Sequence, residues 1–429
     1  MGSESRSVYL FDLDGVLVQP GGYRQALRDT LNDWAARMGL SPAFAPSEEE
    51  IAILEAQGVT SEWDMIPFSL ALIIEAWWDL HPGVVLSADL NQTLAIMRQA
   101  THHLVARPVF GQAYDGLGNK RIEGYPLVEG LLLQKDSPWV RERFPRLSHH
   151  PLLETLFSST RDILRHLPNR DFQTRVLGSH LFEETYHTKA PFDSVPYLAV
   201  WDRVLVEKRI LGELLHDEDG VGAVITARPS RPPLNPPRIR VGYSPEAEIA
   251  VELLGVKDLP IVGHGALTFM AEHMGIHAER LLKPSPFQAM AAIMAALTGD
   301  VLTGLLWAYQ ECGKSEWGKS AYLDRLILKQ SMRSCHLPPH LNLHIFEDSP
   351  IGIRACQRAA EILREKGCRV DLYAWGISHQ PTKIKALSEL GAESFTNVNQ
   401  ALEVVLARRN HRKRAPVVGL DSSWESSST

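Results

Sequence analysis

The stretch Val8-Tyr9-Leu10-Phe11-Asp12-Leu13-Asp14-Gly15 constrains this chain more than any other. It reads as a buried strand, apolar and β-prone, running into two aspartates one residue apart and then a glycine. Strand side chains alternate faces, so Asp12 and Asp14 are expected to point the same way from the strand's C-terminal tip. Like charges so placed repel unless a cation lies between them, and a hard divalent ion suits oxygen ligands. A calcium loop also begins D-x-D, but it needs further oxygen ligands, a central glycine and a glutamate at its twelfth position. Val16, Leu17 and Val18 follow instead. The bland alternative is a core strand with two capping carboxylates. Gly15 lets the chain turn sharply either way.

With 429 residues, 45% hydrophobic and 22% charged, the chain has material for more than one globular domain. A formal net charge of −7 argues against general nucleic-acid binding. The basic run Arg408 to Arg414, ahead of a Ser-rich end, reads as a solvated tail. Cys312, Cys335, Cys356 and Cys368 show no paired metal-ligand spacing, and Met1 to Arg6 show no signal-like pattern; both fit a reduced, cytoplasmic protein. Ala289 to Tyr309 is apolar but is broken by Thr298-Gly299-Asp300. An aspartate at mid-membrane costs at least ~2.5 kcal/mol, so two short buried helices are expected there and no membrane span.

Along the chain, helical periodicity runs over Tyr23–Met38, Ile66–Leu80, Leu152–Leu167 and Trp201–His216, with Ser47 before three glutamates as a helix start. Residues 108–145 carry no clear pattern. From Gly222 the character changes to short apolar β-rich runs alternating with helices, as far as Leu406. That alternation predicts an α/β fold with a doubly wound parallel sheet. The opening strand must join this sheet across a long, mainly helical piece. The expected division is a discontinuous core of residues 1–18 and 206–409, a helical insertion of 19–205, and a tail of 410–429.

In open α/β sheets ligands bind beyond the C-terminal strand ends. Asp12 and Asp14, Thr226, Lys283, and Glu347 with Asp348 all fall at such ends or at a helix start. Together they match the needs of phosphoryl transfer. One carboxylate attacks phosphorus, a second acid protonates the leaving oxygen and later activates water, and a metal neutralises charge. A hydroxyl and a cation hold the nonbridging oxygens. At ~4 Å and an effective dielectric of 20, one ammonium supplies about 4 kcal/mol of attraction per unit charge. Each residue also has a plain reading. Thr226 can reflect β-propensity, Lys283 solvated surface, Glu347 and Asp348 helix capping, Arg228 and Arg231 loop surface, and His264 a loop histidine. Arg24, Trp63 and Asp64 can be core or capping residues.

FDLDGVL (Phe11 to Leu17), VITARP (Val224 to Pro229), LLKPSP (Leu281 to Pro286) and FEDSPIG (Phe346 to Gly352) resemble the four motifs of the haloacid dehalogenase-like hydrolases, in that family's order. The resemblance is to the β-phosphoglucomutase and phosphoglycolate phosphatase-like branch, with an enlarged helical cap. It implies Asp12 as nucleophile, Asp14 as acid/base, and Thr226 and Lys283 as phosphate ligands. It implies Mg2+ held by Asp12, the backbone carbonyl of Asp14, and Asp348, with Glu347 nearby. Arg228 and Arg24 are candidate substrate contacts, and the substrate would be a small phosphorylated metabolite. The implied activity is a phosphatase; a phosphomutase, or a phosphate-binding regulatory module without turnover, are the alternatives. The chain departs from the pattern in the size of the insertion and in longer gaps on either side of Lys283.

Overall fold

The computed structural model describes residues 5–414 apart from 42, 58, 60, 102–105, 123–124, 217–219, 236–240, 257–258, 314–317 and 331–336. Its centre is a six-stranded, all-parallel sheet of β1 (Ser5–Phe11), β4 (Gly220–Ile225), β5 (Ile261–Val262), β6 (His340–Glu347), β7 (Arg369–Ile377) and β8 (Glu393–Phe395). The strand order is β5-β4-β1-β6-β7-β8. The N-terminal strand is therefore central, with β4 on one side and β6 on the other. This is the parallel α/β arrangement that the alternation of strands and helices predicts.

The pleat of β1 divides the core. Val8 and Leu10 face one apolar cluster, filled by the helices Pro286–Thr298 and Pro350–Glu365. Tyr9 and Phe11 face the other, with Leu211, Leu254 and Leu402 from helices on that side. Both faces are covered, so β1 is apolar at successive positions and shows no in–out alternation. The expected pair of buried helices appears as Pro286–Thr298 and Val301–Ala308, turned at left-handed Gly299 and capped by Asp300 accepting from the Thr303 amide at 2.8 Å. Among the described residues, no helix is long and apolar enough to cross a membrane.

The chain leaves the sheet through β2 (Val18–Gln19) and returns through β3 (Arg203–Val204), and these two short strands pair antiparallel. Between them lie helices with their own interior, among them α1 (Gly22–Arg37), α2 (Glu48–Ala56) and α3 (Glu62–Leu80). Phe68 packs there against Phe144 and Phe157 at ring-centroid distances of 5.5 and 6.4 Å. The helix start at Ser47 is a full capping box with Glu50.

Three expected elements differ. Trp201–His216 is not one helix: a short helix ends at Trp201, β3 follows, and a second helix spans Lys208–Leu215. Leu152–Leu167 is not one helix. A first helix stops at Phe157, Ser159 takes a positive φ of 55°, and a second helix, Leu167–Leu177, starts under a His166 cap. The basic run from Arg408 is not a tail, because the final helix continues through Arg414; residues 415–429 lie outside the described residues.

Candidate active site

Asp12 follows directly on β1, and its amide donates to the Phe346 carbonyl of β6 at 3.0 Å. This in-register pairing puts Asp12 level with Glu347 at the tip of the neighbouring strand. The carboxylate of Asp12 is nearly buried, and its Oδ1 accepts from the Leu13 amide at 2.9 Å. Lys283 Nζ lies 3.1 Å from the same oxygen and also pairs with Glu347. Burial pushes the Asp12 pKa well up, with the Lys283 ammonium opposing it. Burial alone would lower Lys283, but the carboxylates of Asp12 and Glu347 outweigh it and hold the amine charged.

Glu347 is fully buried, and Ser349 Oγ donates to it at 2.8 Å. Gly352 makes room for this carboxylate, since a Cβ there would stand 1.8 Å from Glu347 Oε1. Gly15 does the same for Asp348: its φ is +79°, and a Cβ would meet Asp348 Oδ2 at 2.9 Å. One carboxylate oxygen each of Asp12, Glu347 and Asp348 lie within 4.8 Å of one another, a set of hard oxygen donors that can hold a divalent cation. Lys383, just beyond β7, reaches Asp348 Oδ2 at 2.7 Å.

Thr226 caps β4, the strand beside β1, and is 1% exposed; its hydroxyl accepts from the Arg228 amide at 3.1 Å. The side-chain amide of Gln288 fixes this turn, donating to the Thr226 carbonyl at 2.9 Å and the Val262 carbonyl at 2.8 Å. Its oxygen also accepts from the Lys283 amide at 3.4 Å, so one residue ties the Thr226 and Lys283 segments together.

The Asp14 carboxylate does not join those of Asp12, Glu347 and Asp348. The strand ends at Phe11, so its alternation no longer governs Asp14, which lies in the following turn. Both Asp14 oxygens accept from Arg228 Nε at 3.0 Å, while Arg228 Nη1 donates to Asp202 Oδ2 at 2.8 Å. Asp202 stands beside β3 and also accepts from the Gly22 amide at the start of α1, at 2.8 Å. Arg228 is 3% exposed and lies over the Tyr23 ring at 5.0 Å. It therefore joins Asp14 to both chain crossings, and its guanidinium is already committed within the protein.

Of the other candidates, Arg24 pairs with Glu55 of α2. Trp63 is core, edge-on to Phe172 at 5.9 Å, and buried Asp64 receives Arg161 at 2.8 Å. Arg231 is exposed, and His264 begins the helix His264–Met274. Sequence reasoning missed Asp202 and Lys383. Neither carries a local signal, because each matters only through the charge it meets across the fold. Glu62, in the first turn of α3, was legible only as part of Ser61-Glu62-Trp63-Asp64. The chain matches no protein-family model, no curated protein and no solved structure.

Proposed function

We propose that the chain is a magnesium-dependent hydrolase of small phosphate monoesters, of the haloacid dehalogenase-like kind, working through an aspartyl phosphate on Asp12. The observation that carries this reading is the meeting of Asp12, Lys283, Glu347 and Asp348, drawn from three distant motifs, beside Thr226 at the C-terminal ends of parallel strands. On this reading the helical insertion is the cap that shields the site and selects the substrate.

Asp12 attacks phosphorus with the oxygen that Leu13 and Lys283 leave free. The bond from phosphorus to the ester oxygen breaks, and the leaving alkoxide takes a proton from Asp14. Water then attacks the phosphoaspartate, gives its proton to Asp14, and releases phosphate and free Asp12. The Thr226 hydroxyl and the Lys283 ammonium hold the nonbridging oxygens. Arg228 orients Asp14. Asp12, Asp348 and the Asp14 carbonyl, with Glu347 nearby, would hold Mg2+, which would supply neutralisation of the negative charge.

A chromogenic phosphate ester assayed with and without magnesium tests the reading. Magnesium-dependent release of phosphate is expected, with Asp12→Asn reducing it below detection. Asp14→Ala is expected to slow turnover far more than it weakens magnesium binding, because only the Asp14 backbone is assigned to the ion. No turnover with any divalent metal would overturn the hydrolase and leave a phosphate-binding module.

A further inference from the structure

Two side chains of the insertion have no part in the mechanism: Arg24, and Glu62, which interacts electrostatically with Asp14. Arg24 lies in the first turn of α1, next to Tyr23, whose ring sits under the Arg228 guanidinium that holds Asp14. The same turn is tied to the core through Asp202, which accepts from the Gly22 amide and from Arg228 Nη1. Arg24 Nη2 pairs with Glu55, but Nη1 is buried without a hydrogen-bond partner. Glu62, half-buried in the first turn of α3, interacts electrostatically with Arg24, Glu55 and Asp14; burial raises its pKa to about 7. A buried donor without an acceptor is destabilising, and in a native protein it calls for an explanation such as a ligand.

We propose that Arg24 and Glu62 form a subsite that reads a hydroxyl on the leaving group, making the substrate a phosphate monoester of a polyol. A hydroxyl has two uses there: it accepts from Arg24 Nη1–H, which otherwise lacks a partner, and donates its own proton to the Glu62 carboxylate. A methylene in that place satisfies neither. A carboxylate suits Arg24 but meets the like charges of Glu55 and Glu62. The inference rests on the phosphatase reading and adds the class of alcohol released.

The test compares kcat/KM of the full chain with magnesium for 2,3-dihydroxypropyl, propyl and 2-carboxyethyl phosphate, with 4-nitrophenyl phosphate as reference. The dihydroxypropyl ester is expected to exceed both others by about 100-fold or more, since sites built around a substrate hydroxyl reject analogues lacking it. Glu62→Gln and Arg24→Met are each expected to reduce that ratio by about 10-fold or more, and Arg24→Lys to restore part of it. A ratio within one protein is unaffected by partial loss of folded material. Turnover without discrimination, preference for the carboxyethyl ester, or variants that keep the wild-type ratio would each overturn the subsite alone. No turnover of any ester, the reference included, would overturn the phosphatase reading and the subsite with it.

Discussion

At the tip of the sheet, buried polar side chains satisfy one another: Asp12 and Glu347 share Lys283, while Asp14 and Asp202 share Arg228. Inside the helical insertion, beside ion pairs such as Asp64 with Arg161, several buried polar side chains satisfy backbone instead. Glu75 accepts from the Arg146 and Leu147 amides, both at 2.9 Å, and Asn169 donates to the Trp63 and Thr160 carbonyls at 3.0 and 2.8 Å. A backbone partner fixes a bend or a helix end and has no further use. A buried charge paired with charges from distant segments is expensive to assemble and is often stability-neutral compared with apolar packing. The first pattern belongs to architecture; the second marks a place where ligand charge can enter.

The sharpest way to break this comparison is Arg228→Leu. It strands Asp202, whose side chain is wholly buried, and frees Asp14, so unfolding in urea is expected to show a loss of about 3–5 kcal/mol. No loss would mean that the pairs at the sheet tip are unimportant to the fold.

In the insertion, His166 is the acid-sensitive group. Its Nε2 bonds the Leu156 carbonyl at 2.8 Å and its Nδ1 accepts from the Asn169 amide at 3.2 Å, so the buried ring is neutral. Burial lowers its pKa to about 4. The unfolded chain binds a proton below its ordinary value of about 6.5, which the folded ring resists. The stability contribution is therefore complete above pH 6.5 and is lost as pH falls toward 4, by about 3 kcal/mol at most. Urea titrations across that range are expected to show this slope in the wild type and a shallower one in His166→Gln.

Asn169→Leu sharpens the comparison from the other side. It orphans two backbone carbonyls, with an expected loss of about 2 kcal/mol by thermal unfolding. Phosphate release per folded molecule is expected to be unchanged. The smallest effect is at Lys383, 42% exposed and paired with Asp348. Lys383→Met removes a cation that competes with magnesium for that carboxylate. Calorimetric titration is expected to show magnesium binding tightened by up to about 5-fold, the scale of a surface ion pair.

These two patterns also divide what could be read from the residues alone. The tips of β1, β4 and β6 were legible because an apolar run ending in Asp12, Thr226 or Glu347 has no apolar reason to carry that residue. Lys283 was legible from Leu281-Leu282 before it and the helix start at Ser285 and Pro286. Asp202 and Lys383 were not, since their partners lie 26 and 35 positions away along the chain and only tertiary packing defines them. The same limit explains the helix expected over Leu152–Leu167. Its apolar spacing continues past Phe157, but the His166 cap bond to Asn169 starts a new helix instead. The expectation that the Asp12 and Asp14 carboxylates point the same way assumed that the strand continued past Phe11.

The central claim is that Asp12 carries the phosphoryl group during turnover. The direct measurement is mass spectrometry of the peptide spanning Val8–Leu17 from Asp14→Asn protein, acid-quenched while turning over 4-nitrophenyl phosphate with magnesium. That ester leaves without an acid, so the intermediate forms, while loss of Asp14 slows its hydrolysis. One phosphoryl group is expected on Asp12, and none in the Asp12→Asn, Asp14→Asn double variant. Turnover with an unmodified peptide, or a phosphoryl group that persists in the double variant, would contradict it.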